Sequence, residues 1–136
     1  RGEMRRDFTY VDDVVESIVR LTEHPATANN DWSGDRPDPA TSAAPWRVYN
    51  IGNHSPTELL YVVSLLEKHL GKTAKRNLAP MQPGDVSATY ADVAALANAV
   101  DFKPATSIED GIARFITWYR GYHGIESPAR SARKVA

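Results

Sequence analysis

Residues 6–13, RDFTYVDD, and residues 80–86, PMQPGDV, are the two stretches that decide the expected fold. The first begins with the second of two adjacent arginines and continues as a short apolar and polar alternation, which predicts a strand over residues 8–11. An aspartate then stands at position 12 or 13 to cap a helix. The second is a polar loop in which proline and glycine mark a turn. Neither stretch has the composition of a hydrophobic core, so both are candidate parts of a site.

Composition limits the classes of protein and partner. The chain has 136 residues, which suits one domain or the distal part of a larger protein, and 42% of them are hydrophobic. Its 16 basic and 17 acidic residues leave a formal net charge of −1, so we expect neither nucleic acid nor a membrane surface as a partner. No apolar run approaches the about 20 residues that span a bilayer. The absence of cysteine excludes disulfides and thiolate metal sites, and we expect a cytoplasmic location.

Hydrophobic spacing predicts alternating strands and helices. Apolar residues at helical spacing follow the first strand as far as His24. A buried strand is predicted over residues 48–52, and a capping box that begins at Ser55 predicts a helix from there to Gly71. The remaining predicted elements are a strand over residues 74–79, a short helix capped by Asp92 with Val93, Leu96, Ala97 and Val100 inward, and a last helix capped near Ser107 with Ile112, Phe115, Ile116 and Tyr119 buried. The fold class is therefore mixed α/β, in the order β-α-β-α-β-α-α.

Two segments fall outside this pattern. Residues 26–45 are rich in proline, serine and asparagine, with Trp32 as their large apolar anchor, and a loop of that length is functional or mobile. We interpret it as an exposed loop or a disordered insertion within a single part of residues 1–124. Residues 125–136 are basic and lack periodicity, which predicts a disordered tail. Because the first residue is Arg1, we expect the chain to begin inside a longer reading frame.

Each candidate binding side chain also has a purely structural interpretation. An arginine held at the entrance of a strand, such as Arg6, matches phosphate oxygens with its planar donors, or it forms a surface pair with Glu3 or Asp7. Gln82 and Asp85 flank a Pro-Gly pair and suit contacts with phosphate and ribose hydroxyls, or the four residues form an ordinary turn. For each segment taken alone, the structural interpretation is favoured.

The chain lacks the residues of dehydrogenase chemistry. Such enzymes use a Tyr-x-x-x-Lys pair, in which the lysine keeps the pKa of the phenol low, and no tyrosine here has a lysine four positions later. No glycine-rich loop is present to hold a dinucleotide pyrophosphate. His54 has no second histidine or acid at metal-ligand spacing. The sequence therefore predicts no catalytic residue, no cofactor site and no metal site in this chain.

Four segments together resemble one family. The pattern Arg-Asp-Phe-x-Tyr-Val-x-Asp within residues 4–15 is typical of the extended short-chain dehydrogenase/reductases, and the Met-Gln-Pro-Gly-Asp-Val loop within residues 81–92 is more specific. With residues 49–53 and 102–112, their order resembles the C-terminal part of the UDP-glucuronate 4-epimerases over nearly the whole chain. The resemblance implies the substrate-binding part of a Rossmann-type α/β fold, with mixed short strands and helices.

The resemblance also implies roles for residues. The arginine matching Arg6 contacts the UDP diphosphate, the aspartate matching Asp85 takes the ribose hydroxyls, and Phe8 lines the uracil side. Gln82 stands where the related UDP-galactose 4-epimerases have a second phosphate-binding arginine, so it hydrogen-bonds a phosphate or only shapes the loop. The implied full-length enzyme uses NAD to interconvert UDP-glucuronate and UDP-galacturonate through a 4-keto intermediate. This chain alone is expected to be inactive and to bind no NAD.

Two other hypotheses stay open. One is a related nucleotide-sugar epimerase or decarboxylase of the same architecture. The other is a stand-alone, non-catalytic module that binds a UDP-sugar or associates with itself. In the implied family much of the sheet is built by a part that this chain lacks, so strand edges and apolar helix faces would be exposed. We therefore expect homo-oligomers or exchanged elements.

Overall fold

The computed structural model describes residues 2–125, which divide into two compact units. The described parts of the first unit are residues 2–6, 56–89 and 106–125, and those of the second are residues 7–55 and 90–105. The elements in chain order are β1 (Arg5–Arg6), α1 (Val11–Thr22), β2 (Thr57–Glu58), α2 (Leu59–Leu70), α3 (Ala94–Val100) and α4 (Ile108–His123). These helices and short strands agree with the expected mixed class. Most of the predicted tail, residues 126–136, lies outside the described residues.

A two-stranded antiparallel sheet organises the first unit. Arg5 of β1 lies opposite Glu58 of β2, and the Leu59 N–H continues the pairing by donating to the Met4 carbonyl at 2.9 Å. The predicted helix start at Ser55 is wrong, because the residues just after it are engaged as β2 and the helix begins only afterwards. Pairing with β1 thus overrides a local capping signal.

The core of the first unit lies between α2 and α4. Val62 and Leu65 of α2 and Ile116 of α4 are at most 6% exposed. Burial of each such side chain stabilises the fold by about 2 kcal/mol. The predicted buried face of α4 is only partly correct, because Phe115 is 43% exposed.

The helix ends of the first unit follow the sequence signals more closely. α2 ends at Gly71 with φ 68°, and the Ser107 hydroxyl caps α4 by accepting from the Asp110 N–H at 3.1 Å. The two helices are also tied at their surface, where the Tyr61 hydroxyl donates to Glu109 Oε1 at 2.5 Å. That bond raises the pKa of Tyr61 and lowers the pKa of Glu109.

In the second unit α1 packs against α3. The buried apolar residues of this packing are Val93, Leu96 and Val100, as predicted, and α1 buries Ser17, whose hydroxyl donates to the Asp13 carbonyl at 2.7 Å. The predicted cap of α1 is wrong: its N-cap residue is Tyr10, with no side-chain cap bond, and both aspartates lie in the first turn. They suit that position because acids stabilise the positive end of the helix dipole.

Residues 26–45 form a largely exposed loop in which side-chain hydrogen bonds join distant positions. Thr41 is 8% exposed; its hydroxyl accepts from Asn29 Nδ2 at 3.0 Å and donates to Asp38 Oδ2 at 2.9 Å. The Trp32 indole N–H donates to the Asp38 carbonyl at 3.3 Å. The Ala40 N–H and the Thr41 hydroxyl together lower the pKa of Asp38. These contacts describe an ordered arrangement for residues 29–41.

Three predicted strands are not formed within the described residues. Residues 8–11, 48–52 and 74–79 carry no ladder, and near the second of them only an isolated bridge joins Thr41 to Arg47. Val48 is 54% exposed, although its sequence context is that of a buried strand. A strand exists through its partner, and residues 2–125 supply none for these three segments. Among the same residues, no helix combines the length and apolar character needed to cross a bilayer.

Candidate functional site

The first unit brings together two of the predicted site residues, Arg6 and Asp85, which are 79 positions apart in the chain. Arg6 Nη2 lies 2.6 Å from Asp85 Oδ1, and the two side chains are 24% and 34% exposed. The guanidinium is held further by the Arg5 carbonyl, 2.9 Å from Nη1, and by the Met4 Sδ, 3.3 Å from Nη2. Arg6 therefore pairs with a distant carboxylate, and the surface pair with a neighbouring acid is not formed.

The loop that carries Asp85 is a turn with the geometry its sequence encodes. The Asp85 N–H donates to the Gln82 carbonyl at 3.1 Å, and Gly84 adopts φ 84°. A type II turn requires a positive φ at its third position, here Gly84, and commonly has proline at its second. The turn interpretation is thus correct, and the turn directs Asp85 toward Arg6. The binding-site interpretation stays a prediction.

Backbone pairing fixes this loop against β1. The Arg5 N–H donates to the Ser87 carbonyl at 2.9 Å, and the Thr89 N–H donates to the Arg5 carbonyl at 3.2 Å. The Arg5 side chain is used elsewhere, donating from Nη2 to the Pro56 carbonyl at 3.1 Å. The structure therefore separates the two neighbouring arginines into one that supports the sheet and one that faces Asp85.

The ion pair leaves binding capacity on both partners. Asp85 Oδ1 also accepts from the Val86 N–H at 2.8 Å, whereas Oδ2 has no hydrogen-bond partner among residues 2–125. A guanidinium carries five N–H donors, and the described partners of Arg6 engage three of them. An anion and a hydroxyl donor can therefore both find unused hydrogen-bonding groups at this pair.

A cavity of about 410 Å³ adjoins the pair, a volume within the range of small-molecule sites. Its lining residues include Met4, Leu59, Leu60, Val63, residues 74–82 and Asp85. Most of this lining is apolar, and the polar groups include those of Gln82 and Asp85. Within the described part of the chain the Gln82 side chain makes no hydrogen bond, so it is available to a ligand.

Phe8 lies in the second unit, where it is half-buried. Its role beside a uracil stays a prediction. Sequence reasoning missed the neighbouring Asp7, whose carboxylate accepts from the backbone N–H groups of His54, Ser55 and Ala91 at 3.1–3.2 Å. Nothing in the sequence marks these three residues as neighbours of Asp7, because its partners are backbone groups 47 to 84 positions away.

A second polar contact in this unit involves His54, which has a positive φ of 55°. Its Nε2 is hydrogen-bonded to the Tyr90 hydroxyl, and its Nδ1 lies 3.2 Å from the Ala91 carbonyl. An imidazole that donates from Nδ1 accepts from the phenol at Nε2. His54 is therefore hydrogen-bonded through both ring nitrogens.

Among residues 2–125, neither segment that joins a strand to a helix has the composition of a dinucleotide-binding turn. A dinucleotide site needs a glycine-rich turn between a strand and a helix, whereas β2 runs directly into α2 without a glycine and β1 is followed by a segment that contains none. Within residues 2–125 no three histidine or acidic side chains are placed to hold a metal ion.

No family model matches the chain. Protein CapI of Staphylococcus aureus is 53% identical over 122 residues, which cover 90% of this chain and 36% of that protein. A probable UDP-glucuronate 4-epimerase of Rhizobium meliloti is 45% identical over 119 residues, covering 87% of this chain and 35% of that protein. The chain thus spans about a third of the length of these relatives.

A solved structure is similar as well. A mutant UDP-glucuronic acid 4-epimerase from Bacillus cereus, in complex with UDP-4-deoxy-4-fluoro-glucuronic acid and NAD, superimposes with a TM-score of 0.66 and 27% identity, over 89% of this chain and 33% of that one. The family resemblance and the fold class expected from the sequence are confirmed by these similarities.

Proposed function

We propose that this chain, which is related over about nine-tenths of its length to the UDP-glucuronate 4-epimerases, binds the nucleotide part of a UDP-sugar. The diphosphate would lie at Arg6 and the ribose hydroxyls at Asp85. Gln82 completes the proposed site, with its amide near a phosphate or sugar. The place of Phe8 near the uracil stays a prediction. A planar guanidinium suits phosphate oxygens, and a carboxylate accepts from both hydroxyls of a diol.

The observation that carries this proposal is the Arg6–Asp85 pair beside the cavity of about 410 Å³. The pair offers opposite charges 2.6 Å apart, each with unused hydrogen-bonding groups. A ligand with an anionic end and a hydroxyl-bearing end matches that arrangement. The complex of the similar Bacillus cereus enzyme with a UDP-sugar analogue supports the choice of ligand.

For the full-length protein we propose the interconversion of UDP-glucuronate and UDP-galacturonate through a 4-keto intermediate. NAD would supply the hydride chemistry and would be bound by residues outside this chain, since residues 2–125 offer no glycine-rich turn between a strand and a helix. The chain alone would bind no NAD and would be inactive. A change in NADH absorbance, or formation of the epimer from UDP-glucuronate by the 136-residue chain, would contradict this part of the proposal.

A second candidate is a stand-alone module that associates with itself. The observation in its favour is the apolar stripe of α1, formed by Val11, Val15, Ile18 and Val19, each at least 51% exposed. Patches of this kind promote association. We also propose that the chain forms homo-oligomers and is located in the cytoplasm. Both proposals are compatible with nucleotide binding by the same chain.

The proposal is tested by isothermal titration calorimetry of UDP into the 136-residue chain. We expect binding by the wild type and an affinity roughly tenfold or more lower for Arg6→Ala, because a charge-assisted contact to phosphate is lost. The matched control is Arg36→Ala, which removes the same charge from the exposed loop of the second unit. Equal losses in both variants, or no binding by the wild type, would refute the proposed site.

A further inference from the structure

In the structure, Arg6 is already paired with Asp85. Asp85 Oδ1 occupies an Nη2 donor of Arg6 at 2.6 Å, so an incoming phosphate competes with a carboxylate already in place. The pair is partly shielded, with side chains 24% and 34% exposed. In such surroundings a charge-assisted bond is stronger than the same bond in full solvent.

The two partners differ in what can replace them. A phosphate can take over the contacts that Asp85 makes to Arg6, but it leaves the Asp85 carboxylate beside a second anion. A vicinal diol offsets that repulsion, because its two hydroxyls donate hydrogen bonds to the carboxylate. When both groups arrive on one ligand, Arg6 keeps an anionic partner and Asp85 keeps hydrogen-bond donors.

We propose that the Arg6–Asp85 ion pair is a selectivity device, which admits a diphosphate fully only when a vicinal diol is bound at the same site. The inference rests on the proposed function and deepens it. Its ligand class is a ribonucleoside diphosphate, as opposed to inorganic pyrophosphate or a 2′-deoxyribonucleotide. Selectivity of this kind comes from a repulsive element against the wrong ligand as much as from attraction to the right one.

The geometry of Asp85 supports this role over a purely structural one. Its Oδ1 receives both Arg6 and the Val86 N–H at 2.8 Å. Its Oδ2 has no partner in the described part of the chain. The Asp85 side chain is 34% exposed, so a ligand can reach this oxygen, as a diol receptor requires. The turn over residues 82–85 sets this orientation from the backbone, independently of the ion pair.

Calorimetry of the 136-residue chain tests the inference with three probes, namely UDP, uridine and inorganic pyrophosphate. For Asp85→Asn we expect opposite changes. Pyrophosphate should bind roughly threefold to tenfold more tightly, because its competitor for Arg6 is neutralised, and UDP should bind more weakly, because the diol loses its carboxylate. Asp110→Asn at the exposed start of α4 is the control for a lost negative charge. Asp110→Asn should neither tighten the binding of pyrophosphate nor weaken the binding of UDP.

A measurement on the wild type alone covers the case in which the variant does not fold. Saturating uridine should raise the affinity for pyrophosphate, and by linkage pyrophosphate should raise the affinity for uridine by the same factor. Independent binding of the two probes, or weaker pyrophosphate binding by Asp85→Asn, would overturn this inference while UDP binding still supports the proposed function. Failure of UDP to bind at all would overturn both.

Discussion

At the scale of single residues, the site depends on the backbone conformation of Gly84. Gly84 has φ 84°, and a Cβ placed there would have no heavy atom within 4 Å. Its role is therefore conformational, since it lets the chain adopt the type II turn that directs Asp85 toward Arg6. A side chain at this position costs backbone strain without any clash.

Gly84→Ala should lower the free energy of unfolding by about 1 kcal/mol, because an L-residue is disfavoured at positive φ. It should also weaken UDP binding, since the turn presents Asp85. The control is Gly34→Ala, where a Cβ also meets nothing within 4 Å and φ is not positive. Urea denaturation and calorimetry would measure both effects, and equal behaviour of the two variants would contradict the assigned role of the turn.

The residue scale also shows where sequence reasoning stopped. The resemblance singled out Arg6 and Asp85, and the Pro-Gly pair predicted the turn between Gln82 and Asp85. The contact between Arg6 and Asp85 could not be predicted from the residues, because 79 positions separate them. The same limit hid Asp7, whose partners are backbone N–H groups that any residue could supply.

At the scale of elements, helix ends were predictable where the signal is local. The Ser107 cap of α4 and the glycine stop of α2 depend on residues within one turn of the helix. The predicted start of α2 was wrong because Thr57–Glu58 pairs as a strand with β1, which is far away in the chain. The predicted strands at residues 48–52 and 74–79 failed for the reverse reason, since their apolar pattern finds no partner within residues 2–125.

Gly121 inside α4 and Gly124 just after its end provide a test in which the same substitution should have opposite effects on stability. Gly121 lies inside the helix, and its added Cβ would meet nothing within 4 Å. Gly121→Ala should therefore raise the free energy of unfolding by roughly 0.5–1 kcal/mol. Gly124, with φ 62°, is the left-handed cap, and Gly124→Ala should lower it by about 1 kcal/mol. Chemical denaturation that gave both variants the same sign would contradict the assigned end of α4.

Glu67 links the end of α2 to the segment that follows. Its Oε1 accepts from the Ala74 N–H at 2.9 Å and its Oε2 from Arg76 Nη2 at 2.8 Å. These contacts, the first above all, lower the pKa of Glu67 from its usual 4.5. The charged form is thus favoured in the folded state, so its contribution to stability is present above pH 4.5 and is lost as pH falls through the lowered value.

Glu67→Gln should therefore be less stable than the wild type at pH 7, and the difference should shrink as pH falls below 4.5. Urea denaturation at a series of pH values from neutral to acidic would measure this difference. A gap between the two proteins that stayed constant or widened in acid would show that the charge of Glu67 does not stabilise the fold.

At the scale of the whole molecule, apolar surface is left uncovered. The stripe of α1 that contains Val15 and Ile18 is about half exposed, although its helical spacing in the sequence is that of a buried face. The chain spans about a third of the length of its relatives. Spacing identified the face correctly as apolar, but it could not show whether anything within this chain covers it.

We expect the 136-residue chain to self-associate through this stripe. Ile18→Lys should shift the equilibrium toward the monomer, because a charge would have to be buried at the contact. Ala95→Lys, at an exposed position of α3, adds the same charge away from the stripe and is the control. Sedimentation velocity over a range of concentrations would measure the effect. A wild-type chain that stays monomeric at high concentration would contradict the expectation.

A crystal structure of the chain with UDP would show directly whether Arg6 and Asp85 hold the nucleotide part of a UDP-sugar. We expect a phosphate oxygen of UDP within hydrogen-bond distance of the Arg6 guanidinium, and the ribose hydroxyls within hydrogen-bond distance of Asp85 Oδ2. UDP bound elsewhere on the chain, or crystals grown in saturating UDP that show none at this pair, would contradict it.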